Sequence, residues 1–252
     1  NPLDAFGFDG WIGPEPHGAP LANSGAIRDD LIADRIVSWL ENRYRLRSEG
    51  DPESLRPFLL VASFVNPHDI VLFPAWKRRD ISPLKETDSL PPDVPESPTR
   101  HEDLATKPAA QIAYKNSYYS AYGPTRTLKK TYEENEQEYR NLYYRLHLEV
   151  DAPIDRVRTA VTEGTEGEAI IFRTADHGDL LGSHGGLHQK WYNLYDEASR
   201  VPFQVVRTGK NLTSARTVEN VPTSHVDLIP TALALAGLNQ TQLSEELSTE
   251  FS

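Results

Sequence analysis

Three stretches of this sequence gather side chains of types and spacings that could do chemistry. The first, Asp176-His177-Gly178-Asp179, sets a carboxylate directly beside an imidazole. An ionised carboxylate and a neutral imidazole each offer a lone pair, so the pair reads as a half-site for a divalent cation. Gly178 lets the chain turn sharply next to such an ion. The competing reading is a strand-end turn whose polar residues face water. The second stretch, His184-Gly185-Gly186-Leu187-His188-Gln189-Lys190, places three protonatable side chains in a glycine-rich loop. Lys190 brings a point charge with mobile donors, which suits a tetrahedral sulfate or phosphate. His184 and His188 are candidates to pass a proton to a leaving oxygen. Here the competing reading is a solvated, histidine-rich loop. The third is His68 in Asn66-Pro67-His68-Asp69, where Asn66-Pro67 reads as a turn. Alone, His68 reads as a structural histidine capping a strand.

These residues need elements to hold them. An amphipathic pattern from about Arg28 to Arg47, with Leu31, Ile32, Ile36, Trp39, Leu40 and Tyr44 at helical spacing, predicts a packed helix. Pro57 to Val65 is nearly continuous in apolar residues and reads as a strand covered on both faces, ending at the His68 turn. A long helical pattern starts near Tyr132 and runs to Val161, with Pro153 expected to kink or split it near Val150. Glu168 to Thr174 reads as a second buried strand ending at Asp176, and Val201 to Arg207 as a third. Ser224-His225-Val226-Asp227 predicts a capping box for a helix from Leu228 to Ala236, stopped by Gly237. The pattern is α/β, with polar clusters at strand C-terminal ends, where open sheets bind ligands. One domain over 1–252 is expected, with a proline-rich, loop-rich insertion at about 73–130.

Composition bounds the partners. A net charge of -11 disfavours nucleic acid and anionic membranes, both of which call for clustered Lys and Arg. It does not exclude an anionic substrate, because the local field at a site can oppose the net charge. The sequence holds no cysteine, which removes disulfides, thiolate metal sites and a cysteine nucleophile. No apolar run approaches the roughly 20 residues of a membrane-spanning helix, and no signal segment opens the chain. A soluble chain is expected, with its compartment and oligomeric state unfixed. There is no methionine and the first residue is Asn1; the expectation is a chain cut from something longer.

Four segments together carry a resemblance to the type I sulfatases of the alkaline phosphatase superfamily. They are PFLLVASFVNPHD (57–69), YRLHLEVDAPIDRVRTAV (144–161), IIFRTADHGDLLGSHGGLHQKWYNLYDEASRVPFQVV (170–206) and TSHVDLIPTALALAG (223–237). The resemblance implies an alkaline-phosphatase-like α/β fold: a mostly parallel sheet flanked by helices, incomplete at its N-terminal and C-terminal sides. It implies that Asp176 and His177 are the late pair of ligands to one divalent cation, calcium in most such enzymes, with manganese or zinc as alternatives. Lys190 matches the lysine that binds the sulfate oxygens and His68 the histidine beside the leaving-group oxygen. His184 and His188 lie in the same loop. The family's nucleophile is a formylglycine made from Cys or Ser in a Cys/Ser-x-Pro-x-Arg motif. No such motif occurs in this sequence; Glu96-Ser97-Pro98-Thr99-Arg100 has Glu in the nucleophile position and falls in the wrong order. The formylglycine segment is therefore expected outside this chain.

By that resemblance the chain belongs to a metal-dependent sulfuric ester hydrolase acting on a small sulfate ester, present as a part without its nucleophile. Two alternatives stand beside it. One is a phosphodiesterase or phosphonate monoester hydrolase of the same superfamily; the other is a truncated homologue without turnover.

Overall fold

The computed structural model describes residues 3–8, 20–84, 93–122, 125–164, 169–208, 222–239, 241, 244–245 and 248. The helices are α1 (Gly25–Ser48), α2 (Pro52–Leu55), α3 (Phe73–Arg79), α4 (Ala109–Ser117), α5 (Thr125–Glu134), α6 (Glu136–Gly164), the single turns α7 (Ser183–Gly186) and α8 (Asp196–Ser199), and α9 (Leu228–Leu235). Two strands, β1 (Ile170–Thr174) and β2 (Phe203–Arg207), complete the regular structure. The chain divides into two compact units, 1–210 and 211–252. None of the described helices is long and apolar enough to cross a membrane.

In the first unit the long helices α1 and α6 pack along each other. The buried stripe of α1 is Gly25, Asp29, Ala33 and Leu40; of the larger side chains in its apolar pattern Leu40 is buried, while Leu31 and Trp39 are exposed. Small residues on the stripe let the helices approach closely, and Trp39 turns outward to meet Phe58 edge-on at 5.1 Å between ring centroids. Near its end α6 passes so close to α1 that a Cβ on Gly164 would lie 1.9 Å from the Tyr44 ring. Arg156 of α6 reaches Asp30 and Asp34 of α1 at 2.8 and 2.6 Å. These half-exposed pairs contribute about 0–1 kcal/mol each. Helix α6 runs unbroken through the buried Pro153, so the expected split does not occur.

The apolar run 57–65 forms no strand. Leu59 and Val61 are 61% and 65% exposed, against the two-sided burial expected of them. The sheet of the described residues is the pair β1–β2 alone, antiparallel, with Phe172 opposite Val205 and Thr174 opposite Phe203. A strand needs a neighbour's amides as well as an apolar run, and no described strand stands beside 57–65. The sheet is thus smaller than the α/β pattern predicts, and its one pairing is antiparallel where parallel order was expected.

The insertion is largely helical. Phe73 and Trp76 of α3 join Ile70, Tyr132, Tyr139, Leu142 and Leu146 in one buried cluster, which gives this stretch a core to fold on. Residues 85–92 and 123–124 of the insertion lie outside the described residues, as does Glu168 ahead of β1. In the second unit Ser224 and Asp227 form the expected capping box, and Gly237 ends the helix with φ +90°.

Candidate active site

The site is assembled from two turns, each held by buried carboxylates. The first follows the apolar run 57–65. Asp29 of α1, 1% exposed, accepts the backbone N–H groups of Val65 at 2.6 Å and Asn66 at 3.1 Å. Asp69, 3% exposed, accepts the Gly25 N–H at the start of α1 at 2.6 Å. The chain between these anchors turns through a cis Asn66–Pro67 bond into a short 3-10 helix, His68–Leu72. Ile70 and Phe73 drive that helix into the core. His68 therefore stands on a turn clamped at both ends to one helix, and charge-assisted bonds of this kind are the stronger sort.

The second turn leaves β1. His177 lies with its ring centroid 6.1 Å from that of His68, bringing the two predicted histidines together. Its Nδ1 donates to the Gly178 carbonyl at 2.9 Å. A carbonyl only accepts, so the neutral ring presents its lone pair at Nε2. That atom is 3.6 Å from Asp176 Oδ2. The two donor atoms on the same side fit half of a cation site; no cluster of three or more His, Asp or Glu ligands occurs among the described residues. Gly178 is needed here for space: a Cβ would sit 2.1 Å from the Glu197 carbonyl oxygen.

Beyond it the loop folds around Asp179, which is buried. Its carboxylate takes Tyr139 Oη at 3.0 Å, the Leu181 N–H at 2.9 Å and the Gln189 N–H at 3.2 Å. Burial pushes its pKa up, and these donors oppose that rise. Fixing Gln189 fixes Lys190, whose half-buried ammonium makes no ion pair with a described residue. Burial pushes the pKa of Lys190 down, while the Asp179 and Asp176 carboxylates pull it back. A poorly hydrated cation of this kind gains more from an incoming anion than a solvated one does.

The other two loop histidines are engaged by protein. His184, at φ +52°, stacks on Tyr195 at 3.6 Å. Its Nδ1 is 2.9 Å from Glu102 Oε2 and its Nε2 3.0 Å from Glu197 Oε2. His188 is fully buried, stacked on Tyr132 at 4.4 Å. Its Nδ1 is hydrogen-bonded to Tyr119 Oη at 2.8 Å and its Nε2 lies 3.5 Å from Glu136 Oε1. The frame Glu96 to Arg100 proves to be a seat for this loop. Thr99 accepts the His184 and Gly185 amides at 3.1 and 3.0 Å, Ser97 Oγ meets Ser183 Oγ at 2.9 Å, and Arg100 binds Glu136 at 2.8 Å.

Sequence reasoning gives Asp29 no role, and takes Asp69 only as a weaker site candidate and Asp179 only as part of the Asp176–Asp179 stretch, not as the carboxylates that do the holding. Only Asp179 left a local signal, an Asp two residues before an amide that it accepts, as in an Asx turn.

A model of the sulfatase family matches residues 3–238. The chain belongs to the sulfatase family. It is 29% identical over 224 residues to the choline-sulfatase of Rhizobium meliloti (strain 1021), covering 86% of this chain and 39% of that protein. To arylsulfatase K of Danio rerio it is 26% identical over 227 residues, 85% of this chain and 38% of the relative. A solved 2-O GAG sulfatase (BT1596) superposes with a TM-score of 0.61 at 24% identity, over 93% of this chain and 46% of that one. The sulfatase-family chain thus has the α/β fold of the alkaline phosphatase superfamily over the part it spans, and it spans well under half of the length of these curated relatives.

Proposed function

We propose that this sulfatase-family chain supplies the anion-holding side of a sulfate-ester hydrolase site, with Lys190 and His68 on the ester and Asp176 and His177 on a divalent cation. The observation that carries the reading is the meeting of His68 and His177, from turns more than a hundred residues apart, within 6.1 Å. A half-desolvated lysine is held on the same loop as the second of them.

In this reading the Lys190 ammonium faces the sulfate oxygens and offsets their charge where water is partly excluded. His68 donates a hydrogen bond to the leaving-group oxygen as charge builds there. Asp179 touches no substrate; it holds the backbone that aims Lys190. A cation bound by Asp176 and His177, calcium by the resemblance, would supply Lewis-acid stabilisation of the transferring group. The sequence has no cysteine, so the chain by itself lacks the usual precursor of the family's nucleophile. Negligible turnover of 4-nitrophenyl sulfate is expected from the 252 residues alone.

Sulfate binding tests the reading without turnover. Calorimetric titration of inorganic sulfate into the full chain, with calcium present, should give saturable binding. Lys190→Ala should weaken it by about tenfold, the value of one charge-assisted contact. Chelation, or His177→Ala, should weaken it as well. Sulfate binding that is indifferent to Lys190→Ala would sink the assignment.

A further inference from the structure

The ring of His184 joins two segments. On one side stands the insertion: Nδ1 is 2.9 Å from Glu102 Oε2, and Glu102 is tied to Lys107 at 2.7 Å. On the other stands the single turn α8, where Glu197 Oε2 is 3.0 Å from Nε2. The ring also lies flat against Tyr195, the residue before α8, at 3.6 Å between centroids and 10° between planes. Tyr195 Oη in turn donates to Gln111 Oε1 of α4 at 2.6 Å.

Both carboxylates are held below their ordinary pKa. Hydrogen bonds from Lys107 and His184 lower Glu102. Burial pushes Glu197 up, but its own backbone N–H and His184 outweigh that. An ionised carboxylate only accepts, so the bridging ring donates at both nitrogens and has neither left for a leaving oxygen. What the ring holds is α8. Four residues make one turn, too short to persist without tertiary support. The main chain of that turn meets Gly178 in two ways. The Gly178 N–H donates to the Ala198 carbonyl at 2.9 Å, and the Glu197 carbonyl oxygen fills the space that a Cβ at 178 would take. Gly178 then accepts His177 Nδ1–H at its own carbonyl, at 2.9 Å. The path from Glu102 to the His177 ring is continuous, through side chains as far as Glu197 and through main chain beyond it.

We propose that His184 is a positioning residue for His177: by pinning Tyr195 and Glu197 it fixes α8, and α8 fixes the Gly178 carbonyl that sets which nitrogen of His177 faces outward. Only the bearing of this on a cation or an ester rests on the sulfate-ester reading.

The test uses the full 252-residue chain, labelled with nitrogen-15, without ligand and at neutral pH. Long-range proton–nitrogen NMR reads the His177 tautomer, and amide exchange reads the Gly178 N–H. Wild type should show His177 protonated at Nδ1 and a protected Gly178. His184→Phe keeps a ring against Tyr195 and removes both donors. It should mix the His177 tautomers and speed Gly178 exchange about tenfold, with α6 unchanged. Glu197→Ala should do the same, while Glu197→Gln, which keeps an acceptor for Nε2, should stay near wild type. The double variant His184→Phe, Glu197→Ala should be no worse than either alone, because both break one link. An unchanged tautomer and Gly178 rate in folded His184→Phe overturns the proposal. So does faster exchange spread evenly over the chain, the mark of a merely structural role. If His184→Phe fails to fold, the contrast of Glu197→Ala with Glu197→Gln decides alone. Sulfate titration keeps the two readings apart. Sulfate binding that fails while the tautomer effect holds removes the hydrolase reading and leaves the positioning role. The converse removes the positioning role and leaves the hydrolase reading.

Discussion

Asp179 touches no proposed ligand, yet three donors from two elements end on its carboxylate. Replacing it with Asn keeps the shape but puts an N–H where acceptors are needed. Asp179→Asn should cost about 2–3 kcal/mol in urea unfolding, the scale for breaking a buried polar network. Glu136 gives a pH-dependent counterpart. Burial pushes its pKa up, but His188 and Arg100 outweigh that and hold it at about 2, below the ordinary 4.5. A depressed carboxylate contributes stability that is full above the unfolded value and is lost as pH falls toward the folded one. Stability should therefore drop by about 2–3 kcal/mol between about pH 4.5 and 2 on account of this group. Glu136→Gln should remove that part of the slope in denaturant titrations at stepped pH, and an unchanged slope would discard the pairing. At this scale His68, His177 and Lys190 could be singled out in the sequence by residue type, His177 by its place soon after β1, Lys190 by its glycine-rich loop, and His68 by an apolar run that forms no strand. The holding roles of Asp29 and Asp69 could not, and that of Asp179 could only as an Asx-turn signal. Their importance lies in the distant amides they meet, and Val65 is 36 residues from Asp29.

Among the elements, α1 illustrates how periodicity can find a helix and miss its buried face. Of the pattern that suggested the packed side, Leu40 is buried but Leu31 and Trp39 are exposed; Gly25, Asp29 and Ala33 complete the face, because a close helix crossing selects small residues over large ones. The insertion shows the reverse error. Prolines suggested loops, while Phe73 and Trp76 found a core shared with Ile70 and Tyr139, and their segment is the helix α3. The clamp between α1 and the His68 turn is directly testable. Asp29→Ala strands the Val65 and Asn66 amides, and should cost about 2 kcal/mol. Amide exchange should quicken locally, across 65–70, with α6 protected as before. Uniformly faster exchange would mean that Asp29 supports the whole core and not this turn.

At the scale of the molecule, the α/β class was legible and the extent of the sheet was not. Pattern reports what a segment is suited to, whereas a sheet depends on which neighbours are at hand. Phe58, Leu59 and Val61 on one segment, and Phe203, Val205 and Val206 on another, face solvent. Exposed apolar surface of this kind binds hydrophobic dyes and promotes association. The 252-residue chain should enhance anilinonaphthalene sulfonate fluorescence in its native state. The double change Leu59→Lys, Val61→Lys should reduce the signal by roughly half without lowering thermal stability, since both side chains are more than half exposed. Dye binding unaffected by that change would place the sticky surface elsewhere.

The carbonyl of Glu197, which stands where a side chain at position 178 would begin, has a consequence for randomised libraries. A clash with a side chain can be relieved by a second mutation that shrinks the obstacle. Position 178 meets main chain, which every residue type shares. No single replacement at 197 can open room there, so second-site suppressors of Gly178→Ala should be absent from selections that readily yield them for Gly164→Ala, where Tyr44 is the obstacle.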